Sequence, residues 1–310
     1  MNDCLPPEKN LLPLRWSEIE QLAQAAFLGL AIGDALGATT EFMTPMEIQA
    51  KYGTLKKIVG GGWLYLKPGA VTDDTQMSFC IARAIQESGG WKLSAIADNF
   101  AAWMKNRPID IGATCARGIG NYIRKGSLEV PYNEWDAGNG GVMRMAPVAI
   151  GSLGDDLLMQ TWATQQAHLT HNHPLSDAAC IAVGRMVHKA VTGASKGALK
   201  TIADDLVTRN PKFRYRPYLG NSSAYVVDTM QTVLHYFFST NSFETCLIGV
   251  VNQGGDADTT GAIAGLIAGA FYGMTGLPSR WLKRLDKGVR KEAIQLSHDL
   301  VNSSPLAASR

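Results

Sequence analysis

Two sets of glycines restrict the fold of this chain more than any other feature of its sequence. The members of each set are four residues apart: Gly29, Gly33 and Gly37 in the first, and Gly261, Gly265 and Gly269 in the second. Glycine inside a helix costs about 0.5–1 kcal/mol relative to alanine, so three at helical spacing indicate a face against which another backbone packs very closely. We expect such packing to bring helix ends together, and with them Glu41 and Asp256.

Helical periodicity recurs along the chain, whereas the alternating runs typical of strands are nearly absent. The predicted helices span residues 16–37, 74–88, 92–105, 112–125, 140–151, 156–169, 175–192, 196–208, 223–238, 242–252, 259–274 and 279–300. The sequence therefore predicts an all-α fold. We expect one compact domain over residues 16–302, an N-terminal extension over 1–15 and a C-terminal tail over 303–310.

Composition and charge exclude several classes of protein. The apolar fraction is 46% and the net charge is +2, and no concentrated basic face of the kind that binds nucleic acid is evident. The cysteines are five, odd in number and never in a C-x-x-C pair, which favours free thiols in a reducing cytoplasm. Residues 1–15 do not resemble a signal peptide, and the most apolar window, 262–277, is shorter than the roughly 20 residues of a spanning helix. We therefore expect a cytoplasmic protein without an integral membrane segment; peripheral membrane association stays open.

Two acidic clusters lie more than half the chain apart, and each precedes a predicted helix. They read Thr72-Asp73-Asp74-Thr75 and Gly255-Asp256-Ala257-Asp258-Thr259-Thr260. Helix capping explains one or two residues of each cluster, but not adjacent or paired aspartates. Four carboxylates gathered in an apolar setting would repel each other, and a divalent cation removes that penalty. Oxygen ligands favour Mg²⁺, Mn²⁺ or Ca²⁺, and four carboxylates suit two metals about 3.5–4 Å apart.

Three further acids lie near predicted helix ends. Asp34, flanked by glycines inside an apolar stretch, is expected to bond the N–H groups of a neighbouring loop. Glu41 follows the end of the first helix and is a candidate general acid/base or a ligand to a metal-bound water. Asp110 precedes a helix, where it either caps that helix or binds a cationic group such as a guanidinium.

Other candidates are polar or aromatic residues in turns. A turn over residues 138–144 opens a predicted helix and offers free N–H groups to an anion, while Arg144 either adds a cation or pairs with a carboxylate. His171 is weighed evenly between structure and substrate contact, and His173 is expected to be a hydrogen-bonded surface residue. Tyr225 either covers a substrate or packs in the core.

The ordered series of these motifs resembles the ADP-ribosylglycohydrolase family over about residues 23–275. The resemblance implies an all-helical globule with a central cleft that binds two divalent cations, Mn²⁺ or Mg²⁺. The metal ligands that it implies are Thr72, Asp73, Asp74, Asp256, Asp258 and Thr259. It places Glu41 at the catalytic edge and Asp110 opposite the modified arginine. It also implies substrate contacts, with the diphosphate at Asn139, Gly140 and Gly141, the ribose or adenine at Tyr225, and a contact from His171.

The activity implied by the resemblance is hydrolysis of the bond between ADP-ribose and an arginine side chain of a protein. Within the family, the chain is most similar to the branch that acts on dinitrogenase reductase in the control of nitrogen fixation, which implies that protein as substrate and a PII-type regulatory partner. Three alternatives stay open: hydrolysis of ADP-ribosyl-serine, a two-metal phosphohydrolase acting on the diphosphate, and a non-catalytic ADP-ribose reader.

Overall fold

The computed structural model describes residues 14–310, and every regular element in that range is helical. The helices are Trp16–Gly37 (α1), Pro45–Tyr52 (α2), Asp73–Glu87 (α3), Leu93–Lys105 (α4), Ala113–Lys125 (α5), Ala146–Gly151 (α6), Asp156–His168 (α7), Pro174–Val191 (α8), Lys196–Arg209 (α9), Val226–Ser239 (α10), Phe243–Val251 (α11), Ala257–Gly276 (α12), Ser279–Arg284 (α13), Lys287–Asn302 (α14) and Pro305–Ala308 (α15). A turn of 3-10 helix, Pro211–Phe213, follows α9. Extended pairing within residues 14–310 is limited to two isolated bridges, Gly61 with Leu66 and Gly138 with Tyr225.

The all-α prediction is confirmed, and most predicted helices differ from the observed ones by a few residues. Residues 1–13, which include Cys4 and most of the predicted N-terminal extension, lie outside the described residues. The predicted tail, 303–310, contains the short helix α15. The four cysteines within the described range are buried free thiols, as expected.

Three differences have local causes. The helix predicted over 140–151 begins only at Ala146, because the glycines before it form turns. The helix predicted over 279–300 is two helices, because Asp286 caps α14 with its side chain while its N–H donates to the carbonyl of Gly69. Helix α2 was not predicted, although Thr44 and Glu47 form a reciprocal capping box at its start.

Helices α1 and α12 form the centre of the molecule and pack backbone against backbone. A Cβ built on Gly29 would lie 2.2 Å from the carbonyl oxygen of Gly265, and one on Gly33 would lie 2.0 Å from that of Gly261. Along this contact the residue numbers increase on α1 while they decrease on α12, so the two helices are antiparallel. The close approach predicted from the glycine spacing is confirmed.

The same packing brings the end of α1 to the start of α12. A Cβ on Gly37 would lie 2.1 Å from the carbonyl oxygen of Ala257. The N–H of Phe42 donates to the carbonyl of Gly255 at 2.7 Å. Glu41 and Asp256 are therefore neighbours, as the glycine sets lead one to expect.

The helices within residues 14–310 include no candidate membrane span. None of those in the described part of the chain combines the length and the apolar character that crossing a bilayer requires. The longest, α1 and α12, are buried against each other in the core.

Candidate active site

Asp34 on α1 organises the start of α3. Its carboxylate accepts hydrogen bonds from the N–H of Thr72 at 3.0 and 3.1 Å, from the N–H of Thr75 at 3.2 Å and from the Thr75 hydroxyl at 2.5 Å. The structural role expected for Asp34 is confirmed. Because this acid from another helix supplies the cap, Asp73 and Asp74 are not needed as capping residues and their side chains can serve another purpose.

The second acidic cluster meets the first at the beginning of α12. Asp256 occupies the N-cap position but makes no capping bond with its side chain; its Oδ2 accepts instead from Asn139 Nδ2 at 2.5 Å. The hydroxyl of Thr259 lies 3.3 Å from Asp74 Oδ2, and that of Thr72 lies 3.1 Å from the same oxygen. The two clusters, distant in sequence, thus form one buried centre.

Glu41 and Asp110 border this centre together with Asp258. One carboxylate oxygen from each of these three residues lies within 4.8 Å of the others. Asp73, on the adjoining turn, accepts from the N–H of Gly112 at 3.2 Å, which fixes the loop that carries Asp110 beside α3. The two acids that the sequence assigned to catalysis are therefore close enough to Asp258 to share a cation with it.

The proximity and burial of these carboxylates shift their protonation. Burial, with Asp110, Asp256 and Asp73 nearby, raises the pKa of Glu41 to about 8. Burial is also the main reason why the pKa of Asp73 is raised to about 7 and those of Asp74 and Asp258 lie well above their usual range. Without a compensating positive charge, this centre disfavours its own ionised form.

A divalent cation fits the donors that are present. Asp74 Oδ1 is buried and meets no hydrogen-bond donor among residues 14–310, although an ionised carboxylate can only accept. The surrounding donors are carboxylate and hydroxyl oxygens, which hard divalent cations prefer. A cation would satisfy the orphaned oxygen and offset the mutual repulsion that raises the pKa values.

The glycine-rich turn before α6 lies against the acidic centre, but it does not open a helix as predicted. Asn139 joins the turn to the centre, because its Nδ2 donates to both Thr229 Oγ1 and Asp256 Oδ2. Within the described chain, the N–H groups of Gly140 and Gly141 donate to no carbonyl. Both N–H groups therefore lack a backbone partner among the described residues.

His171 and Arg144 lie behind this turn rather than on its open side. Arg144 is fully buried and donates to Gln166 and to the hydroxyl of Thr170 at 2.8 Å. Among residues 14–310 it is paired with no carboxylate, which was one of its two predicted roles. The same Thr170 hydroxyl is hydrogen-bonded to His171 Nδ1, also at 2.8 Å. Burial and the nearby guanidinium lower the pKa of His171 to about 3, so the ring is neutral. Gly140 must lack a side chain, because its Cβ would lie 2.5 Å from this ring.

Tyr225 is at the open side of the turn. Its side chain is 38% exposed, and its backbone bridges to Gly138. The preceding loop is tied to the second acidic cluster, because the N–H of Asp256 donates to the carbonyl of Ser222. His173, two residues after His171, caps α8 by accepting from the N–H of Leu175, as expected for a hydrogen-bonded residue.

Sequence reasoning missed Trp63. Its indole Nε1–H donates to Glu41 Oε2 at 2.6 Å, and its ring lies 5.3 Å from that of Phe42. The sequence signal was a tryptophan directly after three consecutive glycines, a pattern that marks a tight turn but does not reveal which acid the turn approaches.

Comparison with known proteins adds a family and its relatives. A family model described as ADP-ribosylglycohydrolase matches residues 16–309. The chain is 53% identical over 274 residues to ADP-ribosyl-[dinitrogen reductase] glycohydrolase from Rhodospirillum rubrum, covering 88% of this chain and 93% of that protein. It is 32% identical to ADP-ribosylarginine hydrolase Tri1 from Pseudomonas putida, and the match covers 85% of this chain and 74% of that protein. A solved structure titled ADP-ribosylglycohydrolase-related protein complex superposes with a TM-score of 0.81 at 30% identity, covering 93% of this chain and 99% of that one.

Proposed function

This chain belongs to the ADP-ribosylglycohydrolase family, and from that premise we propose that it removes ADP-ribose from a modified arginine side chain of a protein. The observation that carries the proposal is the meeting of the two acidic clusters in one buried centre beside Glu41 and Asp110. The similarity to the Rhodospirillum rubrum protein supports dinitrogenase reductase as the substrate, so that hydrolysis would reactivate that enzyme and control nitrogen fixation. Control through a PII-type protein and a cytoplasmic location belong to the same proposal.

The centre is proposed to hold two divalent cations, Mn²⁺ or Mg²⁺. The residues proposed to bind them are Thr72, Asp73, Asp74, Asp256, Asp258 and Thr259. When bound, the cations supply Lewis-acid polarisation of the ribose hydroxyls and neutralise the carboxylates. The unpaired oxygen of Asp74 and the raised pKa values support this assignment.

Glu41 and Asp110 are proposed to act on the bond that breaks. Asp110 holds the cationic guanidinium of the modified arginine. Glu41 takes a proton from the attacking water and returns it to the departing guanidine nitrogen, which restores the positive charge of the arginine. The new bond joins the water oxygen to C1″, the C1″–N bond breaks, and the products are ADP-ribose and arginine. The separation of at most 4.8 Å between oxygens of the two residues supports their action on one bond.

The rest of the substrate is proposed to lie across the glycine-rich turn. The free N–H groups of Gly140 and Gly141, with Asn139 beside them, suit a diphosphate. The exposed ring of Tyr225 borders the ribose or the adenine. His171 supports this turn from behind, so its contribution to binding is exerted through the turn.

The test is incubation with a protein that carries ADP-ribosyl-arginine, in Mn²⁺ and in chelator, with product analysis. We expect intact ADP-ribose in Mn²⁺ only. Release of AMP would indicate a phosphohydrolase instead, and binding without turnover would indicate a reader. Asp256→Asn is expected to abolish hydrolysis, whereas the control Asp204→Asn, at an exposed ion pair on α9, is expected to retain it.

A further inference from the structure

The loop between α2 and α3 places an aromatic side chain directly on Glu41. The indole Nε1–H of Trp63 donates to Glu41 Oε2 at 2.6 Å, and the residue is nonetheless 48% exposed. A bond from a neutral donor to a carboxylate is stronger than one between neutral groups, and here it fixes one of the carboxylate's two oxygens. Trp63 therefore stands at the boundary between solvent and the acidic centre.

The position of Trp63 is fixed by the backbone that precedes it. Gly60 and Gly62 have φ values of 70° and 67°, and a Cβ on Gly62 would lie 2.2 Å from the carbonyl oxygen of Ala38. The Thr39 hydroxyl donates to the carbonyl of Gly60 at 3.2 Å. The loop is thus held against the residues that lead into Glu41, so donor and acceptor are fixed by the same short stretch of structure.

Phe42 completes an aromatic pair with Trp63. Its ring is 67% exposed and tilted by 49° relative to the indole. Its φ of 61° is unusual for a residue other than glycine, and its N–H donates to the carbonyl of Gly255 beside the second acidic cluster. We call these two rings the aromatic lip. Trp63 of the lip bonds the carboxyl group of Glu41, which lies within 4.8 Å of that of Asp110, and these acids offer a guanidinium its opposite charge.

We propose that Trp63 is a positioning residue that holds the carboxylate of Glu41, and that the aromatic lip contacts the methylene stem of the modified arginine. This inference rests on the proposed function for its substrate. A guanidinium held by the acids beside Glu41 needs its three methylene groups to leave the centre past the residues that border Glu41. Two exposed aromatic rings there offer the apolar surface that such a stem can cover.

The first test detects the hydrogen bond between Trp63 and Glu41 by NMR and does not measure activity. In chelated protein labelled with ¹⁵N-tryptophan, the indole N–H signal that disappears in Trp63→Phe belongs to Trp63. Glu41→Gln is expected to move that signal, because the indole then faces an amide group of nearly the same shape in place of the carboxyl group. An unmoved signal would show that the indole does not bond Glu41, and would overturn the positioning role.

The second test separates the two roles by kinetics with ADP-ribosyl-arginine protein. Trp63→Phe keeps an aromatic ring but loses the donor, so kcat should fall about 10–100-fold with a smaller change in KM. Phe42→Ala should mainly raise KM, by about three- to tenfold. Tyr65→Ala, on the same loop and 89% exposed, is the control and should change neither constant.

The outcomes are distinguishable. An unchanged kcat in Trp63→Phe overturns the positioning role, and an unchanged KM in Phe42→Ala overturns the contact with the arginine stem. Thermal unfolding of each variant shows whether a loss arises from misfolding; a folded Trp63→Phe with wild-type KM and reduced kcat supports the proposal. A wild-type protein that hydrolyses no ADP-ribosyl-arginine contradicts the proposed function instead, and the indole signal still reports the contact.

Discussion

Asp34 shows how one residue frees its neighbours for chemistry. It accepts from the backbone of Thr72 and Thr75 and so caps α3 from α1. Without that cap, Asp73 and Asp74 would be drawn to the exposed N–H groups of their own helix. The aspartates of the first acidic cluster therefore do not cap their own helix. An acid 38 residues before Thr72 caps it instead.

Removal of Asp34 should cost more than loss of an ordinary cap. Asp34→Ala leaves two buried N–H groups and two hydroxyls without this acceptor, and we expect the free energy of unfolding to fall by about 2–4 kcal/mol. Asp286→Ala, which removes the cap of α14, should cost about 1 kcal/mol. Urea unfolding of both variants provides the comparison. An Asp34 variant as stable as the Asp286 variant would contradict the capping role.

The raised pKa values predict a stability that depends on pH and on metal. In the folded, metal-free chain the pKa of Asp73 is raised to about 7 and that of Glu41 to about 8, so the folded state binds protons more tightly than the unfolded state between about pH 4 and 8. Stability without metal should therefore fall as pH rises through this window. Excess Mn²⁺ should reverse the trend, because it binds the ionised carboxylates and therefore stabilises the folded state more as pH rises. A ligand at 100 times its Kd adds about 2.7 kcal/mol. Melting temperatures that are equally pH-dependent with and without Mn²⁺ would contradict this account of the centre. His168, whose pKa is also raised, contributes to both series and does not affect their difference.

At the scale of elements, the α1–α12 contact connects the glycine spacing to the site. The helices approach so closely that carbonyl oxygens occupy the positions that side chains would need. This approach was predictable, because only glycine tolerates it and the spacing matches one helix face. The break before α14 was not predictable, because it depends on Asp286 meeting Gly69, a contact between distant parts of the chain.

Alanine in place of a glycine at the α1–α12 contact should be severely destabilising, whereas alanine in place of a glycine at an exposed helix position should not. Gly33→Ala would place a Cβ 2.0 Å from the carbonyl oxygen of Gly261 and separate the two helices, at a cost of about 3 kcal/mol or more. In Gly197→Ala on α9, the Cβ meets only Ser195 Oγ at 3.6 Å, so the change should be neutral or stabilise by up to about 1 kcal/mol. Thermal unfolding compares them, and equal melting temperatures would argue against the backbone contact.

At the scale of the whole molecule, the sequence predicted which acidic residues form the site better than it predicted how the other residues are arranged around them. The paired aspartates and their threonine neighbours were visible because four carboxylates exceed what two helix caps require. The role of Trp63 could not be predicted, because only the tertiary structure shows that this loop tryptophan contacts Glu41. The burial of His171 and Arg144 likewise depends on how α7 packs behind the glycine-rich turn.

The central claim is that the two acidic clusters form one metal centre, and a double-mutant cycle on Mn²⁺ binding tests it most directly. Calorimetric titration would compare the wild type, Asp74→Asn, Asp256→Asn and the double variant, with Asp204→Asn as control. Residues of one centre should be coupled, so each single change should weaken binding strongly and the double change should add much less than the sum of the two. Strictly additive losses, or loss of one binding site from each variant with the other unaffected, would contradict a shared centre.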